Sequence, residues 1–239
     1  MTTQLTPEEA KKKLIVSGRI LAMHGHGDMT RGHLSVRVPG NPELFFMKAH
    51  SLGLDEITMD NILTIDLDGK VVAGTARRHS EVFIHSEIFR ARPDVEAVIH
   101  THSVHTIALS AITTQIRPLC QGGAMFVDAL PVYTDTIDLI RRTDQGQGVA
   151  KALGPHKAVL MRHHGVAMTG RSLDEAVVLL FMLENAAEVQ LKAMAAGSLT
   201  SEFPPEDIQE LKRKISEPDQ FTVNYNYLAR LAAKAYGEV

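Results

Sequence analysis

The chain has 239 residues, 44% hydrophobic and 22% charged, a composition that suits one substantial apolar core rather than a disordered or fibrous chain. Its net charge of −3 gives no electrostatic reason to expect nucleic acid or an anionic membrane as partner. Cys120 is the sole cysteine, residues 1–9 hold no signal-peptide apolar core, and no uncharged run nears the roughly 20 residues that span a bilayer. An intramolecular disulfide is excluded, and the expected location is the cytoplasm.

Thr6-Pro7-Glu8-Glu9 predicts a helix start, with Thr6 as N-cap, Pro7 in the first turn and Glu9 at the capping-box position. This helix should run to Met23 and end in the glycine-rich segment 25–32. His33 to Val38 alternates as a strand does, Pro39-Gly40-Asn41-Pro42 is a turn, and Glu43 to Lys48 is a second strand. Ile62 to Asp66 and Val71-Val72, joined through Asp68-Gly69, form another hairpin.

Ser80 to Ala91 has helical apolar spacing and stops at Pro93. Val95 to His102 reads as a strand, Thr106 to Ala111 as a short helix, and 127–133 as extended chain around Pro131. Gln147 to Leu153 is helical up to Gly154, and Ala158 to Met161 is a buried-type strand ending at a histidine pair. Ser172, followed three residues later by Glu175, caps the longest helix, to Ala196. Without a repeat or long linker, this order predicts one α/β sandwich domain over 1–239 with a largely antiparallel sheet and a helical tail from residue 200.

Twelve histidines, as many as Phe and Tyr together, all lie at or before His164. Clustered internal histidines signal metal binding or proton transfer. His100-Thr101-His102 ends a strand, and residues two apart share a face, so both imidazoles can converge on one ion. Two surface histidines at a strand end are the plainer explanation of His-x-His alone. His163-His164-Gly165 also follows a strand, where alternation sends one ring inward without saying which. Glu81, early in a helix, is either a partner of the helix dipole or a base beside a cation. His85, one turn later, is expected to be an ordinary core or surface histidine.

Three segments together resemble the class II aldolase/adducin family: Arg78-His79-Ser80-Glu81, then Arg92-Pro93-Asp94 through His100-Thr101-His102 to His105, then Leu160 through His163-His164-Gly165 to Val166. Gly32-His33-Leu34-Ser35-Val36-Arg37 is similar to the family's Gly-Asn-x-Ser-x-Arg strand except at His33. The resemblance spans roughly residues 8 to 195. It implies a three-layer α/β/α sandwich with a mainly antiparallel central sheet. It further implies metal ligation by His100, His102 and His164, with His163 outside, and acid/base work by Glu81. One divalent ion per subunit is implied, Zn2+ or Mn2+ with Co2+ or Fe2+ as further options. A homo-oligomer, tetrameric or a multiple, with sites near subunit boundaries is implied as well.

The departures from the family's sugar-phosphate aldolases bear on substrate. Where those hold phosphate with small polar groups, this chain has His33, His50-Ser51 and His79-Ser80, with Lys48 and Arg162 nearby in sequence. Flat cationic donors suit a planar carboxylate. Gly-His-x-Ser-x-Arg and Arg-x-His-Gly are similar to the family's decarboxylases of ring-hydroxylated aromatic or pyridine dicarboxylates. The expected function is therefore a metal-dependent carbon–carbon lyase, a decarboxylase ahead of an aldolase, with a non-catalytic adducin-like interaction module as the third reading. If protonated imidazoles grip the substrate, binding should weaken as pH rises.

Overall fold

Thr6 caps the first helix, α1 (Pro7–Met23), as its sequence predicts: its hydroxyl accepts the Glu9 N–H at 3.2 Å, and the Glu9 carboxylate accepts the Thr6 N–H at 2.7 Å. The computed structural model describes residues 5–112 and 115–239. After α1 come β1 (His33–Val38) and β2 (Asn41–Lys48), two 3-10 turns, and the hairpin β3 (Ile62–Asp66) and β4 (Val71–Ala73). Helix α2 (Val82–Ala91) leads to β5 (Ala97–Thr101), α3 (Val104–Ala111) and α4 (Gln121–Phe126). Then follow β6 (Val132–Tyr133), α5 (Thr143–Leu153), β7 (Ala158–Met161), β8 (Gly165–Gly170) and the helices α6 (Leu173–Ala196), α7 (Pro205–Ile215) and α8 (Pro218–Tyr236).

The strands form one eight-stranded sheet in the order β4-β3-β2-β1-β5-β8-β7-β6, antiparallel except where β6 meets β7. Both faces are covered, so the central strands are apolar on both sides. Leu34, Phe46, Ala97, Ile99 and Leu160 join α1 and α6 in one core. Phe45, Met47, Val98, Val159 and Met161 join α2 and α5 in the other. The expected three-layer α/β/α sandwich is what the chain forms.

Strand alternation then decides where the polar positions go. Leu34 and Val36 point to the α1/α6 core, so His33, Ser35 and Arg37 point to the α2 side. Register pairs His33 with His100 and Ser35 with Val98, which places His100 on that same side. Arg37 is buried there and fastens α2 to the sheet. Its guanidinium donates to the carbonyls of Phe89 (2.7 Å), Arg92 (3.1 Å), Val95 (2.7 Å) and Pro42 (2.5 Å). Two of these carbonyls belong to the end of α2, where a cation meets the negative end of the helix dipole.

The structure adds elements that composition concealed. Helix α4 contains Gly122 and Gly123, residues that argue against a helix, yet a Cβ at Gly122 would strike the Met182 carbonyl of α6. Close packing on α6 therefore overrides propensity. Strand β8 was not expected; its Gly-Val-Ala-Met-Thr-Gly sequence carries glycine at both ends. The segment 127–133 is mostly irregular, with only Val132–Tyr133 in the sheet. The helical tail does not extend from the body. Phe221 and Tyr225 of α8 are buried in the α1/α6 core, and Tyr225 Oη lies 2.9 Å from Ser17 Oγ of α1.

Candidate metal centre

Four side chains from three parts of the fold meet on the α2 side of the sheet, at its β5–β8 end. One ligand atom from each of Glu81, His100, His102 and His164 lies within 4.8 Å of all the others. His100 is the penultimate residue of β5 and has 0% exposure. His102 follows that strand, and Glu81 is the N-cap residue of α2. His164 sits in the β7–β8 turn.

The hydrogen-bond partners constrain where the ring protons sit. His100 Nδ1 is 3.0 Å from the Val166 carbonyl, and His102 Nδ1 is 2.9 Å from an Asp28 carboxylate oxygen. Both partners only accept, so each neutral ring spends its one N–H on them. The two Nε2 lone pairs then face each other at 3.1 Å, an arrangement that a shared cation stabilises. His164 Nε2 is buried with no hydrogen-bond partner; its nearest charge is Glu81 Oε1, at 3.5 Å. Imidazoles oriented by a carbonyl or carboxylate behind them are the usual support of a metal ligand. The donor set fits a divalent ion.

Alternation along a strand does not choose between His163 and His164, because neither is on one. Met161 pairs with Gly165 across a tight hairpin, and His163 takes the left-handed backbone conformation with φ 60°. That twist turns His164 towards the cluster, leaving His163 exposed at the cavity mouth. Gly165 is required here by close approach. An added Cβ would overlap the Thr101 carbonyl and lie 3.0 Å from His102 Cδ2.

Glu81 is held from two directions. Its Oε1 accepts the Ile140 N–H at 3.0 Å, and its Oε2 is 3.9 Å from His33 Nε2. Burial raises its pKa above the ordinary carboxylate value, against the lowering effect of the Ile140 amide and then of His102. Burial likewise depresses His164 to about 4, and His100 well below its ordinary value. These rings are neutral near pH 7, the state in which imidazole ligates.

A cavity of about 640 Å³ opens over the cluster. His50, His79 and Ser80, three of the residues the sequence offers as substrate contacts, line it. Three other sequence-based choices lie outside the cavity lining. Ser51 is exposed and bonds only to His50 (Oγ–Nδ1 2.6 Å), Arg162 is exposed outside the cavity lining, and His33 is buried beneath the floor. Lys48 is also not a cavity cation: it is fully buried, and its ammonium donates to the carbonyls of Thr30 (3.2 Å) and Leu52. It braces the two loops beside the cavity.

The cavity's cations are Arg31 and Arg141, with Asp28 beside them, residues that no motif in the sequence marks. Burial holds His79 at about 3 and His33 well below its ordinary value, and it lowers His50 too. These shifts favour neutral rings, which offer an anion single hydrogen bonds rather than a cationic grip. A larger cleft of about 860 Å³ lies between the β1–β2 turn and α8 and contains no histidine.

Comparison with known proteins agrees with this architecture. The family model for the class II aldolase and adducin N-terminal domain matches residues 12–191. Decarboxylase NovR of Streptomyces niveus is 35% identical over 75% of this chain and 67% of its own. The 3,4-dihydroxyphthalate decarboxylase of Arthrobacter keyseri is 28% identical over 96% of both chains. The solved L-fuculose 1-phosphate aldolase of Glaciozyma antarctica superposes with a TM-score of 0.87 at 26% identity, covering 100% of this chain and 95% of that one.

Proposed function

Because the chain belongs to the class II aldolase and adducin family, we propose that it is a divalent-metal-dependent lyase that decarboxylates a ring-hydroxylated aromatic or heteroaromatic carboxylate. The observation that carries this reading is the convergence of Glu81, His100, His102 and His164 under a cavity whose cations are arginines. His100, His102 and His164 would hold the ion, with Zn2+ or Mn2+ suited to the three imidazoles. When bound, such an ion supplies Lewis acidity to the substrate oxygen that takes up charge.

The remaining roles fall to this chain's own groups. Arg141 and Arg31 bind and orient carboxylate, where a planar guanidinium fork matches it in two contacts. His50, His79 and Ser80 supply neutral hydrogen bonds. As the carbon–carbon bond breaks and CO2 leaves, the electron pair stays on the ring carbon. Glu81, whose burial favours its protonated form, delivers a proton there.

The aldolase reading remains the second choice, supported by the likeness to a solved L-fuculose 1-phosphate aldolase. We also propose a cytoplasmic homo-oligomer. Ile137 in the cavity lining is 77% exposed, and Val104, two residues beyond His102, is 70% exposed. Apolar groups so placed fit a subunit boundary, and light scattering that finds only monomer would refute it.

The test offers the zinc- or manganese-loaded protein 3,4-dihydroxyphthalate and L-fuculose 1-phosphate in parallel, following CO2 and aldehyde release. CO2 alone is expected. Aldehyde release without CO2 would make it an aldolase. Absence of stoichiometric metal would leave only an interaction module. Arg141→Ala should raise KM roughly 10–100-fold, the worth of one lost charged hydrogen bond.

A further inference from the structure

Beneath the cavity floor, three buried groups form a chain that the mechanism above does not use. Ser35 Oγ of β1 lies 2.6 Å from His85 Nδ1 of α2, and His85 Nε2 lies 2.7 Å from His33 Nδ1. Ser35 and His85 have 0% exposure and His33 has 1%. His33 Nε2, at the far end, is buried without a hydrogen-bond partner and is directed at the metal-site cluster. It is 3.9 Å from Glu81 Oε2, and its ring centroid is 4.9 Å from that of His100.

A 2.7 Å contact between two ring nitrogens needs one donor and one acceptor, and with one N–H on each buried ring the chain runs in one of two directions. In the first, Ser35 donates to His85 Nδ1, His85 Nε2–H donates to His33 Nδ1, and His33 presents Nε2–H to the site. In the second, every bond reverses. Ser35 must then donate to the Val98 carbonyl at 3.5 Å, and a bare lone pair on His33 Nε2 faces the Glu81 carboxylate. The first direction places the serine proton in the short contact rather than the long one, and it leaves a donor facing Glu81 once that acid has given up its proton. Both points select it.

We propose that Ser35 and His85 are positioning residues that lock His33 as its Nε2–H tautomer, a fixed hydrogen-bond donor towards the carboxylate that Glu81 becomes when it gives up its proton. A donor already oriented before the reaction stabilises developing charge without reorganising. The donor's target rests on the catalytic reading above; the tautomer does not.

The experiment labels the histidine nitrogens of the full-length protein with 15N, loads it with Zn2+, and records long-range proton–nitrogen correlations that separate protonated from bare ring nitrogens. His33→Gln and His85→Gln assign the two rings. Both should carry the proton on Nε2. Ser35→Ala should lose the single tautomer at both rings and lower kcat roughly 10–100-fold, the usual effect of removing a supporting hydrogen bond, with little change in KM. Ser35→Thr, which keeps the hydroxyl, should restore spectrum and kcat. An Nδ1–H signal for His33, or a wild-type spectrum in Ser35→Ala, overturns the proposal. Because the spectra need no substrate, failure of the decarboxylase reading is told apart from failure of the relay.

Discussion

Glu81 occupies the N-cap of α2, yet its side chain makes no cap hydrogen bond there. It turns instead to the Ile140 amide and the imidazoles. A carboxylate serving only the helix dipole is worth about 0.3–1 kcal/mol. As the proton carrier it is worth roughly 10²–10⁴ in rate. Glu81→Gln is expected to keep the fold and metal while losing turnover in that range, as stopped-assay kinetics beside a melting curve will show. Gly165→Ala is expected to cost about 1–3 kcal/mol through overpacking and to lower metal content, measured by elemental analysis, because its methyl would press on His102. At this scale the sequence was partly legible. His-x-His on β5 could be placed on one face by period alone, whereas choosing His164 over His163 needed the left-handed φ at His163. Family resemblance supplied that choice; alternation could not. Arg31 and Arg141 had no signature, since a lone surface arginine looks the same whether or not a cavity lies beneath it.

Among the elements, α2 carries the proposed acid and Arg37 carries α2. The helix brings Glu81 and His85 to the site from its first turns, and Arg37 holds its other end through the Phe89 and Arg92 carbonyls. Arg37→Met is expected to destabilise by at least about 2 kcal/mol, because buried carbonyls lose charged donors. Urea midpoints measure this, and the variant should also lose activity in excess of its loss of folded protein. Hairpins and capped helices were legible from local chemistry, Thr6 and Ser172 most plainly. Helix α4 was not, since Gly122 is there for contact with α6 and Gly123 for contact with the Arg117–Pro118 backbone, rather than for the chain's own preference. Strand β8 escaped because, buried on both faces, it shows no alternation.

For the whole molecule, the number of buried neutral histidines sets the acid limit. His26, His79, His85 and His164 are depressed to between about 3 and 4, each chiefly by burial. A histidine whose folded pKa lies below its unfolded value binds protons only on unfolding. Stability is therefore full above the unfolded pKa of 6.5 and falls as pH drops towards the folded values. Each such ring contributes a slope of about 1.4 kcal/mol per pH unit in that window. Urea titrations of the metal-free protein at stepped pH should show the midpoint falling steeply below 6.5, and less steeply in His26→Gln, whose ring stacks on Phe181 outside the ligand set. A flat profile would mean that these rings open to water. Substrate binding, by contrast, should stay level between about pH 6 and 8, because the cavity's cations are guanidinium groups rather than imidazoles.

The contact between Ile140 and Glu81 ties two properties that an engineer would wish to vary separately. One short stretch of chain, between β6 and α5, presents Arg141 to the cavity and in the preceding residue gives its amide to Glu81. Any insertion, deletion or graft that redirects Arg141 also moves that amide, and without it the acid weakens further. New specificity introduced through this stretch is thus inherited together with a shifted pH–rate profile. Side-chain exchange at Arg141 alone leaves the backbone in place, and is the route by which substrate range can change while the acid stays as it is.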